Sequence, residues 1–69
     1  MYEARYQLWA TFGDLRELAF EAATLSLVEY TARTNQGDWD IVALVTSVPS
    51  GFVSRYPLGR VRTAASLPA

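Results

Sequence analysis

The chain has 69 residues, a net charge of −1, and neither cysteine nor histidine. It is too short for more than one domain, and a chain of this size buries only about 60% of its unfolded surface. The composition excludes disulfides, zinc sites built from cysteine and histidine, and catalysis through imidazole. No apolar run approaches the roughly 20 residues of a membrane-spanning helix, and the N-terminus lacks a signal-peptide pattern, so we expect a cytoplasmic protein.

The charges are distributed unevenly along the chain. Residues 1–40 hold seven acids and three arginines, whereas residues 41–69 hold three arginines and no acid. Arginine supplies every positive charge and lysine is absent. The missing lysine is typical of a GC-rich genome and indicates a bacterium or its phage. The sequence therefore predicts an acidic body with a basic C-terminal segment.

Residues 2–12 alternate between apolar and polar side chains. Tyr6 and Leu8 belong to the apolar set, and Gln7 belongs to the polar set. Period two with aromatic residues predicts a half-buried strand. Trp9 departs from the pattern because it falls on the polar side. Either the C-terminal tail or a loop covers it, or it anchors a partner, since buried Trp dominates many interfaces.

A helix is predicted to begin at Asp14. This residue type is a favoured N-cap, and Glu17 has the spacing of a capping box. Apolar residues then recur at three- and four-residue intervals, as on one face of an amphipathic helix: Leu15, Leu18, Ala22 and Leu25. We predict one helix that continues to about Arg33. In the alternative, the helix ends near Thr24 and residues 24–34 form a strand that pairs with the next one as a hairpin.

Residues 39–48 form the most apolar run of the chain, and both alternating sets within it are apolar. Such a strand requires cover on both faces. One helix covers only one face of a small sheet, so the C-terminal tail or a second copy of the chain must cover the other. This argument favours a symmetric homodimer.

The last third of the chain is interrupted by proline and glycine. A turn is predicted at residues 49–51, a short strand at residues 52–56 and an edge strand at residues 60–63. Residues 64–69 are small and uncharged, which predicts a flexible tail after a single domain at residues 1–63.

The predicted fold class is α+β. It is a small β-α-β-β domain with one helix packed on a short sheet, and a right-handed crossover makes its first two strands parallel. The alternative with the shorter helix makes the sheet antiparallel.

No catalytic motif stands above background, so we predict a protein that is not an enzyme and needs no cofactor. Asp38 and Asp40 have the spacing of a carboxylate pair that can hold a divalent metal. Two acids after a turn sequence are far more typical of turn and strand-cap chemistry, and no metal site is predicted.

The leading functional hypothesis is a small protein-binding module. It would be a bacterial or phage inhibitor or accessory protein that occludes a surface of a larger host protein, for example a defence complex, as small anti-CRISPR proteins do. The predicted helix carries an acidic band formed by Glu17, Glu21 and, offset around the helix, Glu29. The predicted partner-binding residues combine two tryptophans, a tyrosine and two carboxylates of that band: Trp9, Glu17, Glu21, Trp39 and Tyr56.

The alternative hypothesis is a nucleic-acid-binding protein. In the C-terminal segment, arginines that pair with phosphates alternate with aromatic residues that stack on bases: Phe52, Arg55, Tyr56, Arg60 and Arg62. The net negative charge of the chain argues against this alternative, because it repels phosphate at long range.

Overall fold

The computed structural model describes residues 1–63, so the tail predicted for residues 64–69 lies outside the described residues. The elements are, in chain order, β1 (Tyr2–Phe12), β2 (Leu15–Ala22), α1 (Leu25–Thr34), β3 (Gly37–Ser47) and β4 (Val53–Thr63). They form one antiparallel sheet in the order β2-β1-β3-β4 with a single helix. The α+β class is confirmed, but the element order is β-β-α-β-β and the predicted β-α-β-β order is wrong.

The prediction of a helix beginning at Asp14 is wrong, because residues 15–22 form β2. Phe12 pairs with Leu15, so Gly13 and Asp14 are the two loop residues of a hairpin. Gly13 has a φ of 60°, and Asp14 has no positive φ. Glycine with positive φ at the first loop position is typical of the tight turns whose twist matches paired strands.

A β-bulge explains why β2 resembles a helix in sequence. Leu8 pairs with Phe20 and Trp9 pairs with Leu18, so Ala19 is the extra residue. The alternation of side chains therefore changes phase in the middle of the strand. Leu15 and Ala22 therefore share a face although they are seven residues apart, which is also two turns of a helix, and Leu18 between them lies on the other face.

The predicted helix is confirmed only in its second half, where α1 spans Leu25–Thr34. Val28 and Ala32 are completely buried, and Ala32 continues the inner stripe as predicted. The alternative of a strand over residues 24–34 is wrong. The hydroxyl of Thr63 donates to the carbonyl of Ala32 at 2.8 Å and joins the end of β4 to the helix.

The predicted central strand is confirmed, with bounds Gly37–Ser47, but it does not run parallel to β1. β3 pairs with β1 in antiparallel register, as β2 does on the other side of β1. The strand before α1 and the strand after it therefore run in the same direction with β1 between them. The connection through the helix links β2 to β3 rather than β1 to its neighbour.

The two short strands predicted at residues 52–56 and 60–63 are one strand, β4. Ile41 pairs with Gly59 and Val42 pairs with Pro57, so Leu58 is the extra residue of a second bulge. Proline lacks a backbone donor and is accepted at bulges and on edge strands. β4 is an edge strand, which is why Pro57 does not end it.

The core lies between α1 and one face of the sheet. Its centre is formed by buried residues from β1, β2, α1 and β3: Leu8, Ala22, Val28, Ala32 and Ile41. Within residues 1–63, no helix is long and apolar enough to cross a membrane.

The homodimer stays a prediction, because a single chain is described. Val42 in β3 faces away from α1 and is nevertheless only 6% exposed within one chain, so this residue needs no second copy of the chain to cover it. Its cross-strand neighbours are Gln7 and Pro57.

We expect Leu8→Ala to lower the free energy of unfolding by about 2–5 kcal/mol, because it leaves a cavity in the centre of the core. Leu8 is completely buried. Leu15→Ala is the matched control, because Leu15 is 71% exposed, and it should change stability by less than about 0.5 kcal/mol. Urea unfolding followed by circular dichroism measures both, and equal effects would contradict the described core.

Candidate functional site

The face of the sheet opposite α1, here named the distal face, collects most of the charged side chains of the strands. The strand registers place four acids and five of the six arginines on it: Glu3, Glu21, Asp38, Asp40, Arg5, Arg16, Arg55, Arg60 and Arg62. The sixth arginine, Arg33, lies in α1. The charges that the sequence separates into an acidic body and a basic segment are therefore interleaved on one surface.

A hydrogen-bonded chain connects β2 to the tryptophan at the centre of this face. Glu21 accepts hydrogen bonds from Nε of Arg5 at 2.7 Å and from the amide of Gln7 at 2.9 Å. The amide oxygen of Gln7 accepts a hydrogen bond from the indole nitrogen of Trp9 at 3.0 Å. The hydrogen bonds from Gln7 and Arg5 lower the pKa of Glu21 below its ordinary value of 4.5. The carboxylate thus fixes Gln7, which in turn fixes the indole.

Trp9 also lies beneath two guanidinium groups. Those of Arg16 and Arg55 lie over the ring, 5.3 Å and 5.8 Å from its centroid. Such cation–π contacts are attractive because the positive charge meets the negative face of the ring. Among residues 1–63, arginine side chains from both edge strands, rather than a loop, provide the cover over Trp9.

Asp40 connects β3 to each of the other three strands on the same face. It accepts a hydrogen bond from Nε of Arg60 at 3.0 Å and lies 3.5 Å from Nε of Arg16 and from the hydroxyl of Thr11. The hydrogen bond and the charge of Asp40 raise the pKa of Arg60 above its ordinary value.

Asp38 accepts a hydrogen bond from a terminal nitrogen of Arg62 at 3.3 Å. Both members of the Asp38 and Asp40 pair therefore bind arginine. No group of three metal-ligating side chains occurs within residues 1–63. The pair acts as a set of cross-strand contacts between β3 and its neighbours.

The acids and arginines of the distal face lie at different depths. The Asp40 and Asp38 side chains are 20% and 28% exposed, whereas those of Arg60 and Arg62 are 55% and 71% exposed. The carboxylates are nearer the backbone of the sheet, and the guanidinium groups stand above them. The outer layer over these pairs is therefore positive, whereas the acid Glu3, near the start of β1, is itself exposed.

The structure brings together only two of the five predicted partner-binding residues, Trp9 and Glu21. The registers place Glu17, Trp39 and Tyr56 on the face that carries α1, through their pairing with residues of that face. The predicted acidic band is wrong, because Glu17 and Glu21 lie on opposite faces of a strand.

Trp39 is held in place by the backbone and by the core. Its indole nitrogen donates to the carbonyl of Asn35 at 3.0 Å, and its ring packs against the helix-facing core. A Cβ at Gly37 would lie 2.9 Å from this ring, so the close approach requires glycine at the start of β3.

The residues of the nucleic-acid alternative are divided between two surfaces. Arg55, Arg60 and Arg62 lie on the distal face, whereas Tyr56 pairs with Ala43 on the face that carries α1. The exposed Phe52 precedes β4. The described geometry therefore does not place the proposed stacking residues beside the proposed phosphate-binding arginines.

Sequence reasoning missed Arg5, Gln7 and Arg16 as site residues. The alternation of β1 already places Arg5 and Gln7 on the same side as Trp9, and this signal was sufficient to find them. Arg16 was hidden by the helix prediction, because only the hairpin through residues 13–14 places it beside Trp9.

No family model, curated protein or solved structure matches this chain.

We expect the carboxyl of Glu21 to titrate below 4.5 when followed by nuclear magnetic resonance. Because its pKa is depressed in the folded chain, it contributes stability above the unfolded pKa and loses that contribution as pH falls through the folded pKa. Glu21→Gln should therefore reduce the loss of stability upon acidification, and Glu17→Gln serves as the control from the same strand. An unshifted Glu21 pKa would contradict the described hydrogen bonds.

Proposed function

We propose that the protein is a non-enzymatic protein-binding module and that the distal face is its binding surface. The observation that carries this proposal is the position of Trp9 between β2 and β3, with Arg16 and Arg55 over its ring. Tryptophan and arginine are the residue types most enriched among those that dominate binding energy at protein interfaces. Their concentration at the centre of one face supports a protein partner.

The fixed geometry of this face supports the same proposal. Hydrogen bonds hold Trp9 through Gln7, and carboxylates hold Arg5 and Arg60. Side chains that are already ordered lose less conformational entropy when a partner binds. The network therefore lowers one of the main costs of forming an interface.

The size of the face fits a protein interface. Strands of eleven residues are about 36 Å long, and four strands span about 19 Å, which gives an area on the order of 700 Å². Standard interfaces bury about 800 Å² on each partner. A broad surface of this kind suits the covering of another protein's surface.

The proposed biological role is occlusion of a surface on a larger host protein. Inhibition of a bacterial defence complex by a phage-encoded or bacterial chain is its concrete form. The small size of the chain and the extent of the distal face support this role.

A second candidate is nucleic-acid binding through the same face, favoured by the five arginines that it collects. The interleaved carboxylates and the position of Tyr56 on the other face count against it. Nucleic-acid binding through this face would weaken steeply as the salt concentration increases.

We expect Trp9→Ala to weaken capture of a nuclease-resistant protein partner by at least about 30-fold, because central residues of this kind contribute about 2 kcal/mol or more. Tyr30→Ala is the control, since Tyr30 is 65% exposed on α1, and it should leave capture unchanged. The assay is a quantitative pull-down from host lysate with each tagged variant. Circular dichroism verifies that both variants are folded.

Unchanged capture by a folded Trp9→Ala variant would contradict the proposal. Recovery of nucleic acid in place of protein would favour the second candidate.

A further inference from the structure

The carboxylates of the distal face hold arginines by one side of the guanidinium group. Glu21 accepts its hydrogen bond from Nε of Arg5, and Asp40 accepts its hydrogen bond from Nε of Arg60. The hydrogen bonds described for these two arginines use Nε alone. A guanidinium carries five N–H donors in a rigid fork, so most donors of each group have no hydrogen-bond partner among residues 1–63.

The depth of the charges determines which sign a partner meets. The Glu21 side chain is 33% exposed, whereas the Arg5 side chain above it is 54% exposed, and the Asp40 and Arg60 pair has the same order. The acids that lie off this face include Glu17 and Glu29. A chain with a net charge of −1 thus presents a positive layer on one side.

We propose that the partner presents an acidic protein surface, whose carboxylates bind the guanidinium groups of Arg16, Arg55 and Arg60 around Trp9. This inference rests on the proposed function and adds the chemistry of the partner to it. Arginine binds carboxylates through paired N–H donors, and such charge-assisted hydrogen bonds are stronger than neutral ones. Trp9 holds two of these guanidinium groups, those of Arg16 and Arg55, over its ring.

The same geometry favours carboxylates of a protein over the phosphates of a nucleic acid. Asp38 and Asp40 separate the arginines from one another, so the guanidinium groups do not form the continuous row that a nucleic-acid backbone would follow. Two guanidinium groups already lie over the Trp9 ring, which leaves it a poor platform for base stacking. Separate carboxylates on a protein surface can bind the arginines between these acids.

The test uses the full chain, labelled with ¹⁵N, and three probes observed by nuclear magnetic resonance. The probes are a blocked octaglutamate peptide, a blocked octalysine peptide and a thymidine dodecamer. The signals followed are the Nε–H groups of the arginines and the indole N–H of Trp9.

Octaglutamate should shift the signals of Arg16, Arg55, Arg60 and Trp9, and octalysine should not. Arg60→Gln should weaken octaglutamate binding by up to about fivefold, since an exposed ion pair contributes up to about 1 kcal/mol. Arg33→Gln is the matched control from α1, where the Arg33 side chain is 69% exposed, and it should leave the affinity unchanged.

Three results would overturn the inference: no shift with octaglutamate, equal shifts with octalysine, or tighter binding of the thymidine dodecamer than of octaglutamate. The last result would assign the face to nucleic acid. If capture of the partner requires Trp9 but is unaffected by Arg60→Gln, the proposed function stands and only the acidic chemistry of the partner is wrong. Capture that does not require Trp9 would remove the proposed function itself.

Discussion

One ten-residue helix has to cover a sheet in which three strands hold eleven residues each. The helix is about 15 Å long, whereas the strands are about 36 Å long. It packs across all four strands and forms the core on one face. The other face has no layer of secondary structure within residues 1–63, so the side chains of the strands themselves must cover its apolar centre.

The distal face meets this constraint with long polar side chains. Val42 is buried there without a second layer, and Gln7 beside it is 9% exposed. Arginine side chains cover apolar surface with their methylene groups while the guanidinium stays in water. The carboxylates Glu21 and Asp40 then hold the arginines in position. The same residues therefore complete the fold and form the positive surface that we propose as the binding site.

The sequence predicts part of this fold for clear physical reasons. Residues 2–12 identify a strand through the two-residue period of their side chains, and residues 39–48 do so through a continuous apolar run of strand length. The inner stripe of α1 is recognisable from Leu25 to Ala32. The helix predicted over residues 15–22 is wrong, because the bulge at Ala19 brings Leu15 and Ala22 to one face at a helix-like spacing, and the apolar Leu18 lies on the opposite face.

The candidate site was predictable only in part for the same reason. Trp9 stands out in sequence as an aromatic residue among polar ones, and the structure places it at the centre of the distal face. Contacts such as those of Asp40 with Arg16 and Arg60 join residues up to 24 positions apart, and they depend on the strand order. No local pattern reports that order, so the interleaving of acids and arginines becomes visible only in the folded sheet.

The central claim is that the distal face contacts the partner. To test it, a photoreactive phenylalanine analogue replaces either Leu18 on the distal face or Leu27 on α1. The two sites are equally accessible, because Leu18 is 45% exposed and Leu27 is 48% exposed. The account predicts a covalent product with the captured partner from position 18 and none from position 27. A product from position 27 alone would contradict it and assign binding to the helix.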